Sequence, residues 1–239
     1  MIEVKYIDGM GTDLTVANAA RVSFGKKSKE LTISDRKLIK YLAKHKHMSP
    51  FGHCFASFHV KAPVFVARQL VKHKFLRWNE ISRRYVDDEP EFYEPNEWRG
   101  RADDKKQGSS DKVIDTITVS EPDYEYDYMY PEDKKYLLPW THHTEKVADV
   151  IEETHGQALV TYQELLNAGV CPEQARMVLP QSTMTEWYWS GSLDAFADMC
   201  ILRRKDDTQL ETRMVANLVS NSMYSFFPVS WKALVYEDE

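Results

Sequence analysis

Hydrophobic and polar residues alternate along this chain with two different periods, and the switches between them outline its elements. Ile2, Val4 and Tyr6 alternate with polar neighbours as a strand does, and Gly9 and Gly11 are turn signals. Leu14, Val16 and Ala20 then predict a short helix running into the phrase ARVSFG. From Ser34, available as N-cap, Leu38, Ile39 and Leu42 recur at helical spacing, and Lys44 to His47 form a basic exit. Phe51 to Val60 returns to period two: Ala56, Phe58 and Val60 oppose Phe55, Ser57 and His59, as in a half-buried strand. Pro63 suits a first helical position, and Val64, Phe65, Ala67, Leu70 and Val71 continue a helix toward Lys72.

Further on, a β-like run covers Val113 to Val119, helical periodicity covers Thr141 to Ala168 and closes at Gly169, and another segment runs from Pro172 through Ala175 and Val178 to Pro180. Leu210, Met214 and Leu218 at i, i+4, i+8 mark a long C-terminal helix ending before Pro228. No internal repeat is visible. The expected fold is α+β, a small mixed sheet with several long helices, in one domain over residues 1–239. The stretch at about 87–136, rich in Asp, Glu, Tyr and Pro, reads as an acidic surface excursion without its own core. Its Tyr124, Tyr126, Tyr128 and Tyr130 suit a solvated loop better than a partner-binding strip, and deleting part of it between Arg101 and Val113 should cost little.

Composition narrows the class. At 239 residues, 43% hydrophobic, the chain can build a sizeable core, which excludes disordered and fibrous proteins. No window approaches about 18 apolar residues, and the N-terminus alternates where a secretory signal needs an apolar block, so a cytoplasmic protein is expected. Cys54, Cys171 and Cys200 are isolated from one another, which argues for free thiols. The net charge of −6 hides an asymmetry: Asp87 to Asp133 holds 16 acidic and 5 basic residues, so the rest of the chain carries +5. That remainder suits a phosphate-bearing small ligand, and the excess is too small to identify nucleic acid.

The candidate chemistry concentrates in QLVKHKFLRWNEISRRY, residues 69–85. Lys72, His73, Lys74, Arg77, Arg83 and Arg84 supply cationic donors, and Asn79, Glu80 and Ser82 supply short polar groups in a loop leaving the preceding helix, so phosphate can be held from several directions. Two other readings stay open: an exposed basic helix end, and a nucleic-acid patch with Phe75 and Trp78 interleaved. His45, His47, His53 and His59 invite a metal, but no i, i+4 pair or matching carboxylate accompanies them, and no metal is expected. Cys171, before Pro172, could gain thiolate character at a helix start; an ordinary thiol is the simpler reading.

The wording of this segment resembles the signature of the flavin-dependent thymidylate synthases, Arg-His-Arg, four residues, Asn-Glu-x-Ser-x-Arg-Tyr. Here it stands as Lys72-His73-Lys74, then Asn79-Glu80, Ser82 and Arg84-Tyr85 with the spacing intact. ARVSF (20–24), HMSPFGH (47–53), FHVKAPVFVARQ (58–69), ARMVLP (175–180) and ILRRKDDTQLE (201–211) resemble the same family in order. The resemblance implies reductive methylation of dUMP to dTMP, with carbon from methylenetetrahydrofolate and a hydride from FAD reduced by NADPH. It also implies a homotetramer whose sites draw on more than one subunit.

By position, the implied FAD contacts fall on Ser49, Lys72, His73, Lys74, Glu80 and Asp198, with His47 lining a flavin or folate pocket. The implied dUMP contacts fall on Gln69, Lys72, Glu80, Ser82, Arg83, Arg84, Arg176 and Arg203. A uracil ring must be polarised before its C5 attacks an electrophilic carbon, and a guanidinium near N3 and O2 stabilises the developing charge, which makes Arg203 the candidate catalytic residue. Arg176 has an alternative partner in Glu173, and Arg203 in Asp206 and Asp207. The chain also departs from the family pattern. Lysines at 72 and 74 replace arginines, Gly52 stands where Glu is frequent, Ser192, Asp194 and Asp198 stand for Asn, Arg and Asn, and Asp207 stands for His. These changes touch the flavin side, so a related hydroxymethylase that transfers the carbon without reducing it is the first alternative. A nucleic-acid-binding protein using residues 72–85 is the second.

Overall fold

The period-two segments meet in one sheet. The computed structural model describes residues 1–86, 88–103, 108–122 and 140–236. Its strands are β1 (Glu3–Met10), β2 (Phe55–Pro63), β3 (Leu76–Glu80), β4 (Arg99–Arg101), β5 (Ser109–Val113), β6 (Thr116–Pro122), β7 (Trp140–Lys146) and β8 (Met184–Ser192). The main sheet has the order β1-β2-β8-β3, and each of its ladders is antiparallel. The sheet is small, as expected, and it is antiparallel where a mixed one was anticipated, because an alternation of period two carries no strand direction.

The helices are α1 (Asp13–Arg21), α2 (Ile33–Lys44), α3 (Val64–Leu70), α4 (Val147–Asn167), α5 (Pro172–Ala175), α6 (Leu193–Arg203), α7 (Leu210–Phe226) and α8 (Pro228–Val235). Among the described residues, none is long and apolar enough to cross a membrane. Several boundaries differ from the sequence reading. The cap of α2 is Thr32, not Ser34: the Asp35 amide donates to Thr32 Oγ1 at 3.2 Å and the Thr32 amide to Asp35 Oδ2 at 3.0 Å, a reciprocal capping box. Helix α4 starts only at Val147, because residues 140–146 extend as β7 against β6. The segment after Pro172 is one short turn followed by a 3-10 turn over Arg176–Val178. Pro63 closes β2 and caps α3, one residue before the helix proper.

Strand β8 is the largest omission of the sequence reading. It lies between β2 and β3, pairing Trp189 with Phe58 and Trp187 with Val60. Thr185, Trp187 and Trp189 are buried in alternation with Glu186, Tyr188 and Ser190. Trp187 stacks on Trp78 of β3 with centroids 4.4 Å apart, and Trp189 and Phe58 both meet Phe196 of α6 edge-on at 5.4 and 5.2 Å. This aromatic layer joins sheet to helices. Helix α8, also absent from the sequence reading, is capped from a distance: Asp13 accepts the Val229 and Ser230 amides at 2.9 and 2.8 Å. Pro228 at the first helical position has no amide to satisfy, so the carboxylate serves the next two.

The acidic excursion contains more pairing than expected. β4 pairs with β5 and β6 with β7. Arg99 reaches from β4 to the buried Glu211 at the start of α7, Nη2 to Oε1 2.8 Å. Residues 109–113 therefore pair with the strand that carries Arg99, so a deletion reaching them would remove support from this bridge. The tyrosines at 124, 126, 128 and 130 lie outside the described residues.

Candidate active site

Helix α3 and the turn after it organise the candidate residues. The helix ends at Leu70, and the chain reverses through Phe75, which is 83% exposed and has a left-handed φ of 65°. That conformation costs a bulky residue about 1–3 kcal/mol. Residues 76–80, expected as a loop, form β3, and the Ile81 amide extends its pairing by donating to Glu186 O at 2.9 Å. Trp78 is committed to its stack on Trp187, and its Nε1 donates to Glu80 Oε2 at 3.0 Å. One of the two aromatics proposed for stacking bases is thus unavailable, which weakens the nucleic-acid reading.

Arg203, the last residue of α6, reaches the end of α3. Its Nε donates to His73 Nε2 at 2.9 Å and its Nη2 to the Gln69 carbonyl at 3.2 Å. An arginine only donates, so His73 must accept through Nε2 and carry its proton on Nδ1. Burial, and then the Arg203 charge, push the His73 pKa down to about 4. His73 is therefore a neutral acceptor, and its place among the cationic donors is corrected. Arg203 lines a cleft of about 640 Å³ with Gln69, Arg99, Lys205, Asp207 and Gln209. The Gln69 side-chain amide donates to Gln209 Oε1 on the same wall. The alternative partner Asp206 is instead engaged by Arg213.

A second cleft, of about 510 Å³, lies on the other side of α3. Val64, Ala67, Arg68 and Val71 line it, whereas Gln69 projects into the first. Here the structure brings together Glu80, Arg83 and Arg176. Glu80 is anchored, since Thr185 Oγ1 donates to its Oε1 at 2.7 Å. Arg83 donates to the Asp88 carbonyl at 2.7 Å, and the Arg84 side chain donates to Ser82 Oγ at 3.2 Å, so Ser82 to Tyr85 close on themselves as a turn. Arg176 does not neutralise Glu173 as considered above: its Nε meets the Glu173 carbonyl at 3.3 Å, and the Glu173 carboxylate lies 3.9 Å from Arg84. Arg68, missed in the sequence, stands at i+4 from Val64, a spacing that would have revealed it. Within one chain five of the eight nucleotide candidates divide between the clefts, Gln69 and Arg203 in one and Glu80, Arg83 and Arg176 in the other, while Lys72, Ser82 and Arg84 line neither.

Of the flavin candidates only Asp198 lies on α6, beside Asp194, one of the positions that depart from the family pattern. Asp194 and Asp198 lie one turn apart, and Arg203 follows from Asp194 after about 14 Å of helix. Partial desolvation, then Asp194, raises the Asp198 pKa. Gly52 sits opposite: a Cβ there would meet only Asp194 Oδ1, at 3.9 Å, and that oxygen is buried without a hydrogen-bond partner. Lys72 and Lys74 are exposed and make no described ion pair, and Ser49 and His47, close to Gly52 in sequence, are exposed as well. Two available ammonium groups suit a diphosphate, and an orphaned acceptor beside open space suits an N–H donor, so these residues fit a flavin dinucleotide. Of the other histidines, His59 is held by Glu186 at 3.0 Å and His45 packs against Tyr41 with its ring tilted by 40°. Cys171 is exposed.

An α+β protein with arginine-lined clefts flanking one helix offers donors suited to anionic, nucleotide-like ligands. The family is more definite: the chain belongs to the thymidylate synthase complementing proteins, whose model matches residues 5–229. It is 34% identical over 230 residues to the flavin-dependent thymidylate synthase of Thermus thermophilus, covering 96% of this chain and 74% of that one. It is also 34% identical over 232 residues to the enzyme of the same name from Thermosipho africanus, covering 97% and 90%. Among solved structures, the UMP/dUMP methylase PolB from Streptomyces cacaoi, bound with 5-Br dUMP, superposes with a TM-score of 0.75 at 29% identity, covering 98% of this chain and 94% of PolB.

Proposed function

We propose that this protein methylates dUMP reductively to dTMP, taking carbon from methylenetetrahydrofolate and using FAD recharged by NADPH. The observation that carries the reading is the Arg203 guanidinium: Nε and Nη2 are tied to His73 and Gln69, and Nη1 makes no described hydrogen bond at a cleft wall. A guanidinium held this way offers fixed donors to the uracil edge and stabilises negative charge as C5 becomes nucleophilic. Gln69 adds a polar side chain on the same wall. Arg176 and the Ser82–Arg84 turn supply donors for the phosphate, with Arg83 and Arg68 beside them. Lys72 and Lys74 would hold the FAD diphosphate, and Ser49, Asp194 and Asp198 would line the flavin. Bound flavin supplies the hydride that completes the methyl group.

The two clefts lie on opposite sides of α3, so one chain does not converge its own donors on one nucleotide. A second copy that presents its Glu80–Arg84 turn and Arg176 to this Arg203 would, and we therefore propose a cytoplasmic homo-oligomer, expected as a tetramer. The test is direct. Purified protein should show flavin absorbance that bleaches under NADPH, and with methylenetetrahydrofolate it should convert dUMP to dTMP. Colourless protein without dTMP formation would end the proposal, and 5-hydroxymethyl-dUMP as sole product would replace it with the hydroxymethylase.

A further inference from the structure

The tripeptide Lys72-His73-Lys74 does not present three equivalent groups. Its lysines are exposed, whereas the ring of His73 turns inward, half-buried, between the end of α3 and the end of α6. The His73 amide donates to Leu70 O at 3.1 Å, which ties the turn to the helix that also supplies the Gln69 carbonyl. Arg203 thus has two acceptors on one rigid piece of chain, a ring nitrogen for Nε and a carbonyl for Nη2. These occupy one edge of the guanidinium plane.

A planar group bound along one edge has a fixed direction for the other, which is the property a two-donor contact to a heterocycle requires. The Gln69 carbonyl alone leaves the guanidinium free to pivot about a single bond. The ring nitrogen of His73 removes that freedom. A lysine or arginine at position 73 would place a like charge against the guanidinium and offer no acceptor, so this part of the motif must be uncharged although it lies between two cations.

We propose that His73 is a positioning residue for Arg203, its Nε2 lone pair fixing the guanidinium so that its other edge faces the substrate cleft. This is separate from any contact His73 makes with a flavin, and it rests on the reading that Arg203 polarises a pyrimidine. Glutamine reproduces an acceptor near the Nε2 position, and phenylalanine keeps the ring volume without one. His73→Phe should lower the turnover number for dTMP formation roughly 10- to 100-fold, the scale for misplacing a catalytic group by about 1 Å. Flavin occupancy and the KM for dUMP should change much less, and His73→Gln should recover most of the loss.

Phenylalanine and glutamine variants that lose activity equally would overturn the proposal, as would His73→Phe with normal turnover. A second readout needs no reaction. In spectra of the protein with 15N-labelled histidine at neutral pH, one ring should be neutral, protonated on Nδ1 and accepting through Nε2, and Arg203→Ala should shift that Nε2 signal. A wild type that shows this ring but forms no dTMP would fault the proposed reaction and leave the contact standing. A His73 ring protonated on Nε2 would sink the contact itself.

Discussion

Replacing Arg203 by alanine tests the chemical step most sharply. The substitution removes the guanidinium proposed to face the substrate together with its two anchoring bonds, to His73 Nε2 and to the Gln69 carbonyl. Losing one preorganised electrostatic donor costs catalysis roughly 10²- to 10³-fold, equivalent to about 2.7–4 kcal/mol of transition-state stabilisation. The cost to the fold should be smaller. His73 and the Gln69 carbonyl are only half-buried, so water can replace the lost donor at each, and about 1–2 kcal/mol in total is a fair ceiling. The variant should therefore fold and remain measurable.

The assay compares two activities in that one variant. Flavin reduction by NADPH does not require a polarised uracil and should fall little, while dTMP formation should fall by the full factor. Arg203→Lys should recover only part, because an ammonium keeps the charge without the planar pair of donors. Equal loss in both activities would mean that Arg203 serves the flavin or the fold. Undiminished dTMP formation would remove it from the mechanism.

Other expectations follow from the same geometry. Converting Lys72 and Lys74 together to alanine should strip flavin from the purified protein, and full occupancy throughout a salt titration would contradict their assignment to the diphosphate. Asp35 is fully buried and accepts from Thr32, Arg21 and Ser28, bonds that outweigh its desolvation and hold its pKa far below the usual range. Asp35→Ala should cost about 2 kcal/mol or more at neutral pH, and because the folded pKa is depressed, the gap to wild type should shrink as the pH falls below about 4. A gap that widened in acid would reverse the argument. Light scattering should find an oligomer, and a catalytically competent monomer would show that one chain suffices. Gly52→Glu should destabilise the protein by setting a second carboxylate against Asp194 Oδ1, and adding Asp194→Arg should relieve it; thermal melts showing simple additivity would deny that the two positions interact.

The parts of the fold legible in the sequence were those whose signal is local. Strand β2 shows its alternation openly, α2 and α7 carry unbroken helical stripes, and the spacing from Lys72 to Tyr85 survives intact. Strand β8 escaped because Tyr188, on its outer face, is aromatic like Trp187 and Trp189 on its inner face, which erases the polar half of the alternation. Helix α8 is fixed partly by Asp13, and α7 is joined to the excursion by Arg99, contacts spanning 217 and 112 residues that no window of sequence contains. Strand β7 is largely polar and passes for the first turns of α4. In the candidate site, residue types were readable from the motif but their partition was not. Which face of α3 a residue occupies decides whether it meets Arg203 or Arg176.

The departures from the family pattern also become orderly in space. Gly52 and Asp194, 142 positions apart, face one another, and Lys72 and Lys74 project from the outer side of their turn. Apart from Asp207, which lines the Arg203 cleft, the changed positions therefore lie at the start and along one side of α6, opposite it at Gly52, and in the 72–74 turn. The linkage of Gln69, His73 and Arg203 is complete and uses none of them. An arginine-to-lysine exchange at 72 or 74 alters how an outer anion is gripped and leaves the inner hydrogen bonds of position 73 untouched, because adjacent residues of the turn point to opposite sides. Cofactor affinity can thus drift in this chain without disturbing the group proposed to polarise the pyrimidine. Weak flavin binding accompanied by normal turnover at saturating flavin is the behaviour this separation implies.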